Sequence, residues 1–204
     1  MDAPNPAGPL DEAVAILTRG GVVVVPSDTC YGLAGDALRE STVARVLRVK
    51  GRPTDRPPAV FVPDLGMAST LGVLSPRAMR VAAELLPGPW TILLAARADT
   101  PVWLVSPEGL VGLRWTLFPT VAELVSASGL VLTATSANRS GHPPPYERVA
   151  LARALPLGDI DLVIDGPCGG LPPSTVIDLS TGSPSIRRAG SGDPRRNIEG
   201  GVRT

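Results

Sequence analysis

Apolar runs and periodic apolar positions divide this 204-residue chain into short predicted strands and helices. Four consecutive valines at 22–25 predict a buried strand, because β-branched side chains suit a strand that is covered on both faces. Shorter apolar runs predict further strands at 59–62, 90–95, 110–114, 130–134, 162–164, 175–179 and 185–188. Apolar residues at helical spacing predict helices at 10–19, 40–49, 75–86, 119–126 and 146–154.

These elements predict one α/β domain. Helices and strands follow each other without strict alternation, so we expect a mixed sheet rather than a doubly wound parallel one. The length suits a single hydrophobic core, and the sequence contains neither an internal repeat nor an interdomain linker. We therefore predict a flexible N-terminus at 1–9, a domain at 10–190 and a polar, flexible C-terminal tail at 191–204.

The composition argues against several classes of protein. Lys plus Arg equals Asp plus Glu at 19 each, and aromatic residues make up 3%, which disfavours a nucleic-acid coat or a base-stacking platform. Two cysteines and one histidine, His142, predict neither a disulfide framework nor a metal site. No apolar stretch approaches the roughly 18 residues of a spanning helix, and residues 1–10 lack the features of a signal peptide. We therefore predict a cytoplasmic protein without membrane contact.

Polar residues follow the valine strand, where α/β proteins often bind ligands. Ser27, Asp28 and Thr29 offer hydroxyls and a carboxylate there, although a turn that caps itself accounts for them equally well. Lys50 and Arg52 follow the second predicted helix, and the proline after Arg52 favours an extended backbone. A lysine charge and an arginine fork suit a phosphate or carboxylate. The alternative is that both cations only complement the negative end of the helix.

Five more positions are candidates for ligand contacts. Ser136 and Asn138 follow a predicted strand among small residues, and a plain Asx turn is the alternative there. Arg114 ends a predicted central strand, where a buried charge needs either a ligand carboxylate or a structural ion pair. Ser174 precedes a strand, and Arg188 ends the last one, whose alternation would direct Arg188 and the preceding arginine to opposite faces.

Together these segments resemble the YrdC-like family, the threonylcarbamoyl-adenylate synthases. The resemblance runs from about residue 11 to residue 190. It lies in six motifs that follow the family's order: PSDTCYGL at 26–33, KGRP at 50–53, PGPWT at 87–91, SANRSG at 136–141, STVID at 174–178 and RAG at 188–190. A single motif would carry little weight, whereas all of them in order make the resemblance specific.

The resemblance implies an α/β fold with a twisted mixed sheet around an open, positively lined cavity. It also implies that the chain condenses L-threonine, bicarbonate and ATP, with Mg²⁺, to threonylcarbamoyl-adenylate and pyrophosphate. The adenylate would pass to a separate tRNA threonylcarbamoyltransferase that forms N6-threonylcarbamoyladenosine at position 37 of tRNA.

Nine residues take roles that the resemblance implies. The amino acid would be held by Thr29, Arg114, Ser136 and Ser174. The ATP phosphates and the adenylate would be held by Lys50, Arg52, Arg56, Asn138 and Arg188, with Lys50 and Arg52 as the catalytic pair. Such a reaction needs positioning and anion stabilisation more than a strong base, so the scarcity of histidine is no obstacle.

Several departures from the family pattern fall on residues that would shape the amino-acid pocket. The segment after Arg114 reads WTLFP at 115–119, where the family usually has an apolar residue, Pro, a variable residue, His and Pro. Cys30, Phe61 and Pro144 also differ from the usual residues. These changes make the pocket less polar and leave a paralogue with another acceptor as an alternative. A non-catalytic, weakly RNA-binding module is a third interpretation, favoured only by the arginines at 187, 188, 195 and 196.

Overall fold

The helices and strands follow most of the apolar pattern in the computed structural model, which describes residues 8–193. The strands are β1 (Val22–Val25), β2 (Gly32–Gly35), β3 (Ala59–Phe61), β4 (Trp90–Ala95), β5 (Leu110–Arg114), β6 (Leu132–Ser136), β7 (Leu162–Val163), β8 (Thr175–Asp178) and β9 (Ser185–Arg188). The helices are α1 (Pro9–Thr18), α2 (Glu40–Lys50), α3 (Leu65–Leu71), α4 (Pro76–Leu85), α5 (Pro119–Ser128) and α6 (Leu151–Ala154).

The strands form one mixed sheet in the order β7-β1-β2-β6-β3-β5-β4-β8-β9. Neighbours pair in parallel at β1–β7, β3–β5 and β4–β8, and the remaining neighbours pair antiparallel. The prediction of a mixed sheet is therefore confirmed. Both kinds of pairing occur in the sheet because strands distant in sequence insert between sequential ones.

Alternation along the strands gives the sheet two different faces. On one face, Trp90, Ile92 and Leu94 of β4 are buried in a core that includes residues of α2, α3 and α4. On the other face, α1 and α5 pack over β1, β2 and the start of β6. The latter two helices do not extend over β5, β4 and β8, so residues such as Thr91 and Leu93 border a cavity instead.

The predicted helix at 146–154 is wrong in extent. Only Leu151–Ala154 is α-helical, after a 3-10 turn at Arg148–Ala150. The chain before it is extended rather than helical and is proline-rich, and the Pro145 carbonyl accepts the N–H of Tyr31 at 3.0 Å. Sequence reasoning also missed β2, whose two glycines and one alanine give little strand propensity.

Both ends of the predicted domain, 10 and 190, lie within the described residues. Helix α1 begins at Pro9, inside the segment predicted to be flexible. At the other end, the N–H of Ser191 donates to the Pro173 carbonyl at 3.0 Å, and Gly192 lies directly against the Trp90 ring. The rest of the predicted tail, with the arginines at 195 and 196, lies outside the described residues.

Helices long and apolar enough to cross a membrane do not occur within residues 8–193.

Candidate functional site

A cavity of about 700 Å³ lies over the open face of the sheet. Its floor carries small residues on four neighbouring strands: Gly32 of β2, Ala134 of β6, Ala59 of β3 and Gly112 of β5. A Cβ at Gly112 would lie 3.2 Å from the Ala59 Cβ, so a larger residue would crowd this floor. A ligand can therefore approach the sheet face itself, rather than only the loops at the strand ends that the sequence indicated.

The cavity brings together seven of the nine residues predicted for the site, drawn from distant parts of the sequence. They are Thr29, Arg52, Arg56, Arg114, Ser136, Ser174 and Arg188. Lys50 and Asn138 do not border it, as described below.

Arg114 lies at the buried end of the cavity and is 7% exposed. One of its terminal nitrogens donates to Asp28 Oδ1 at 2.7 Å, and the guanidinium also lies 3.4 Å from the Thr29 hydroxyl. Its Nε is buried and has no hydrogen-bond partner among the described residues. The ion pair offsets the burial of the charge, and the free nitrogen leaves one hydrogen bond available to a ligand.

Hydroxyl groups surround this arginine. The Ser27 hydroxyl lies 3.1 Å from that of Thr29 and donates to the Cys30 carbonyl at 2.7 Å. Across the cavity, the hydroxyls of Ser174 and Thr91 lie 2.8 Å apart, and both residues are buried. These side chains are fixed before any ligand binds, because each is held by a neighbour within residues 8–193.

Ser136 reaches the cavity from the last position of β6. The strand was predicted at 130–134, but it lies two residues further along at Leu132–Ser136. Ser136 pairs with Gly32 of β2, so Ser136 lies beside the segment that carries Thr29. The serine is therefore part of the sheet rather than of the loop that follows it.

Arginines form the opposite, solvent-facing side of the cavity. Arg56, Arg187 and Arg188 are exposed, while Arg52 is half-buried and donates to the carbonyls of Arg56 and Pro57. Burial, followed by the charges of Arg56 and Arg188, lowers the pKa of Arg52. Burial and the charge of Arg114 lower the pKa of Arg188. Because these positive charges repel one another, binding of an anion between the arginines would be favourable.

Arg187 and Arg188 both border the cavity, so the prediction that they point to opposite faces is wrong. The register between β8 and β9 shifts at this point: Val176 pairs with Arg188, whereas the next residue pairs with Ile186. The extra residue forms a bulge, which breaks the alternation of side chains. Arg187 pairs with Asp178 at 2.6 Å, and Arg188 donates to the Ser174 carbonyl at 2.8 Å.

Lys50 takes a different position from the one its motif implies. It is 3% exposed, and its ammonium donates to the backbone carbonyls of Ser136 and Asn138. Its own carbonyl accepts the N–H of Ser140 at 2.8 Å, which ties the end of α2 to the same loop. Gly51 follows with a φ of 57°, so the chain turns between Lys50 and Arg52 and separates their side chains.

Burial gives Lys50 unusual properties. Removal from water, followed by the charge of Arg52, lowers the pKa of Lys50 to about 8. Lys50 is also the only lysine in the 204-residue sequence. Its compact charge with three donors suits a cluster of carbonyls better than the flat arginine fork does.

Asn138 lies beside Lys50 and also holds the loop. Its amide nitrogen donates to the carbonyl of Arg139 at 2.9 Å and to that of His142. Its Oδ1 atom is buried and accepts no hydrogen bond from any residue between 8 and 193. His142 is exposed and does not border the cavity.

Sequence reasoning missed two residues that complete the buried end. Asp28 was named only as a loop carboxylate, yet it is the partner of Arg114. Thr91 belongs to the PGPWT motif, but nothing pointed to its contact with Ser174. Strand alternation offered a signal, since Thr91 is the polar residue between the apolar Trp90 and Ile92.

Most residues that depart from the family pattern lie at the buried end or behind it, whereas Pro144 borders neither cavity. Cys30 borders the main cavity, and burial raises the pKa of its thiol. A second, smaller cavity of about 200 Å³ lies under the altered segment and includes Trp115, Thr116 and Leu117. Phe61 borders both cavities.

The part of the chain that the structure describes contains no group of three or more His, Cys, Asp or Glu side chains arranged to hold a metal ion. The carboxylates that border the cavity there are those of Asp55 and Glu108. Such a donor set fits a Mg²⁺ ion that arrives with phosphates, because Mg²⁺ retains water and phosphate oxygens beside one or two carboxylates.

Comparison with known sequences relates most of the chain to one family. The model of the Sua5, YciO and YrdC proteins, described as "Telomere recombination", matches residues 15–190. A threonylcarbamoyl-AMP synthase of Xanthomonas campestris pv. campestris (strain B100) is 37% identical over 177 residues, or 85% of this chain and 94% of that protein. The protein of the same name in Xanthomonas oryzae pv. oryzae (strain PXO99A) is 36% identical over the same length.

Solved structures share the fold. P. abyssi Sua5 complexed with L-threonine matches with a TM-score of 0.82 and 30% identity, over 91% of this chain and 56% of that one. E. coli YciO matches with a TM-score of 0.82 and 27% identity, over 96% of each chain. This chain thus spans a little over half the length of Sua5 and almost the whole length of YciO.

Proposed function

We propose that this chain, which belongs to the Sua5/YciO/YrdC family, condenses L-threonine, bicarbonate and ATP to threonylcarbamoyl-adenylate and pyrophosphate. The observation that carries the proposal is the arrangement of the cavity, with one buried arginine among hydroxyls at one end and several arginines at the other. The two substrates match these two ends. An amino acid is small and carries a single carboxylate, whereas a nucleoside triphosphate carries several phosphate charges.

The amino acid is assigned to the buried end. Its carboxylate would bind the free edge of Arg114, whose Nε lacks a partner within residues 8–193. The hydroxyls of Thr29, Ser136 and Ser174 would contact its amine and side-chain hydroxyl. Because these groups are already held by neighbours, little side-chain entropy would be lost on binding.

The phosphates of ATP are assigned to the solvent-facing arginines. Arg52, Arg56 and Arg188 gather positive charge in one place, which favours an anion and stabilises the charge that develops on the leaving pyrophosphate. Mg²⁺ would enter as the ATP complex and supply further charge neutralisation on the phosphates.

For the reaction to occur, the amino group of threonine and the α-phosphate of ATP must lie close together over the floor of the cavity. The neutral threonine amine attacks CO₂ and loses a proton to form a carbamate; bicarbonate reaches the same carbamate with loss of water. A carbamate oxygen attacks the α-phosphorus, the bond to the bridging oxygen breaks, and pyrophosphate leaves. The small floor residues Ala59 and Gly112 leave room for this contact, and orientation supplies most of the acceleration.

Lys50 and Asn138 are assigned to positioning rather than to direct phosphate binding. Lys50 holds the backbone on both sides of Ala137, and Asn138 holds the loop that follows. Loss of either side chain would displace Ser136 by freeing this loop. The family motif would then be explained by the geometry of the loop and not by contact with ATP.

The product and its use follow from the same assignment. We infer that the adenylate passes in the cytoplasm to a transferase that modifies tRNA. The RNA-binding alternative rests on four arginines, of which the described residues include Arg187 and Arg188. Arg187 pairs with Asp178 and Arg188 donates to the Ser174 carbonyl, so these contacts do not favour that alternative.

Mass detection of the product tests the proposal. The full chain would be incubated with ATP, Mg²⁺ and bicarbonate, with each of the 20 amino acids in turn, while pyrophosphate release is followed. Release with threonine, together with the mass of threonylcarbamoyl-adenylate, is expected. Release with another amino acid would establish the paralogue, and tRNA binding without ATP turnover would establish the RNA-binding module.

A further inference from the structure

Phe61 separates the main cavity from the second, smaller cavity. It is the only residue that borders both within residues 8–193. Helix α5 packs over the sheet face up to Phe61, which contacts the cluster containing Val121 and Val125. Beyond Phe61 the same face is open and carries Ala59 and Gly112. The Phe61 ring therefore lies at the boundary between the part of the sheet that α5 covers and the part that borders the main cavity.

Neighbouring strands hold the ring in this position. Phe61 pairs with Arg114 across β3 and β5 and with Leu132 across β3 and β6. The Arg114 guanidinium carbon lies 5.4 Å from the centre of the ring, which is within range of a cation–π contact. Phe61 is 4% exposed. Its position is thus coupled to the arginine that is assigned to the amino-acid carboxylate.

The space behind the ring is apolar and has no assigned role. It measures about 200 Å³, and its lining includes Val62, Trp115, Leu117, Val121 and Val125. Four of these residues come from the altered segment (Trp115, Leu117) and from α5 (Val121, Val125), and none of the four borders the main cavity. A side chain that entered this space would need to be apolar, because few polar groups there could replace its water.

We propose that Phe61 sets the upper size limit of the amino-acid side chain and that the second cavity is a continuation of the amino-acid site from which the Phe61 ring separates it. This inference rests on the proposed function, because it takes the acceptor to lie against Arg114. A threonine-sized side chain ends at the ring. Shortening the ring would join the two cavities and admit apolar side chains of the size of leucine and methionine.

Two variants of graded size test this assignment. Pyrophosphate release would be measured with threonine, valine, leucine and methionine for the wild type, Phe61→Leu and Phe61→Ala. We expect the methionine-to-threonine ratio of kcat/KM to rise at least about tenfold in Phe61→Ala and by a smaller factor in Phe61→Leu, since a methylene in an apolar pocket is worth about 10- to 200-fold. Val102→Ala is the control: Val102 borders neither cavity and is 80% exposed, so its ratio should not change.

Binding measured without turnover separates this proposal from the proposed function. Calorimetric titration of each variant with methionine and with threonine reports the same size limit directly. If the wild type makes no adenylate with any amino acid, the proposed function fails, and the titrations alone decide the role of Phe61. A folded Phe61→Leu with unchanged preference for threonine in both assays overturns the inference, and this variant decides the matter if Phe61→Ala does not fold.

Discussion

The two ends of the cavity hold their cations in opposite ways. At the inner end, Arg114 is 7% exposed and is paired with Asp28 at 2.7 Å. At the outer end, Arg56 and Arg188 are exposed, and no carboxylate pairs with Arg188 among the described contacts. The same type of side chain is enclosed by its neighbours at one end and is largely exposed to solvent at the other, where Arg187 pairs with Asp178 and Arg188 donates to the Ser174 carbonyl.

This difference indicates different tasks. A buried, paired arginine offers one defined hydrogen-bonding edge, so it selects a ligand by shape and by the position of one carboxylate. Exposed arginines act mainly through charge, so they attract phosphate with less geometric demand and are screened by salt. We therefore expect changes at the inner end to affect stability and specificity, and changes at the outer end to affect affinity for ATP.

The largest expected effect is on stability at the inner end. Asp28→Ala would leave Arg114 buried without its carboxylate, which costs about 3–5 kcal/mol of the free energy of unfolding. Chemical denaturation measures this change. The control is Asp159→Ala, whose partner Arg48 lies 3.8 Å away at an exposed site and should cost less than about 1 kcal/mol. Equal losses in both variants would show that Arg114 does not depend on Asp28.

Arg188→Ala should have the next largest effect, because this residue joins the two ends. Its guanidinium donates to the Ser174 carbonyl and stands in the outer arginine group. Hydrogen bonds to charged groups are worth about 1.5–3 kcal/mol, so kcat/KM for ATP should fall roughly 10- to 100-fold. Pyrophosphate release measures the loss. Arg153→Ala, an exposed arginine away from the cavity, should retain full activity.

The titration of Lys50 gives a smaller, more specific effect. Its pKa is lowered to about 8, so the unfolded chain binds the proton more tightly than the folded one between that value and the normal pKa of lysine. Stability from this group therefore rises with pH across that interval, on the order of 2 kcal/mol between about pH 8 and pH 10. The free energy of unfolding would be measured against pH for the wild type and for Lys50→Met. The difference between the two curves isolates the contribution of Lys50 from that of other titrating groups.

A direct reading of the same pKa is available because Lys50 is the only lysine. Selective ¹³C labelling of lysine gives one side-chain resonance, and its pH titration should have its midpoint at about 8. A midpoint near the ordinary value of about 10.4 would contradict the burial of the ammonium among the carbonyls of Ser136 and Asn138.

Salt should produce the smallest effect and should separate the ends. Raising ionic strength from about 0.05 M to about 0.5 M screens exposed charges, so KM for ATP should rise a few-fold. KM for threonine should stay nearly constant, because Arg114 is enclosed by Asp28, Thr29 and Phe61. An equal response of both constants would argue that the two ends are electrostatically alike.

The elements of the fold were largely predictable because they depend on local pattern. Valines at 22–25 form β1, and Ser75 caps α4 by accepting the N–H of Ala78 at 3.2 Å. Strand β2 was not predictable, since Gly32–Gly35 has little propensity and exists by pairing with β1 and β6. Its formation depends on residues more than 90 positions away.

Site residues were predictable as a group but not in their contacts. The motif that carries Lys50 and Arg52 indicated two phosphate ligands, yet Lys50 turns to carbonyls of a loop 86 to 88 residues later in the sequence. Arg187 joined the cavity only because a bulge in β9 breaks the alternation. Contacts of this kind depend on tertiary geometry, which no local pattern encodes.

The most direct test of the account compares Arg114→Lys with Arg52→Lys in the same assay. Lysine keeps the charge but loses the forked donors, so each variant reports the hydrogen-bonding role at one end. We predict that Arg114→Lys raises KM for threonine at least about tenfold with KM for ATP nearly unchanged, and that Arg52→Lys does the reverse. If both variants changed the two constants in the same proportion, the division of the cavity into an amino-acid end and a phosphate end would be wrong.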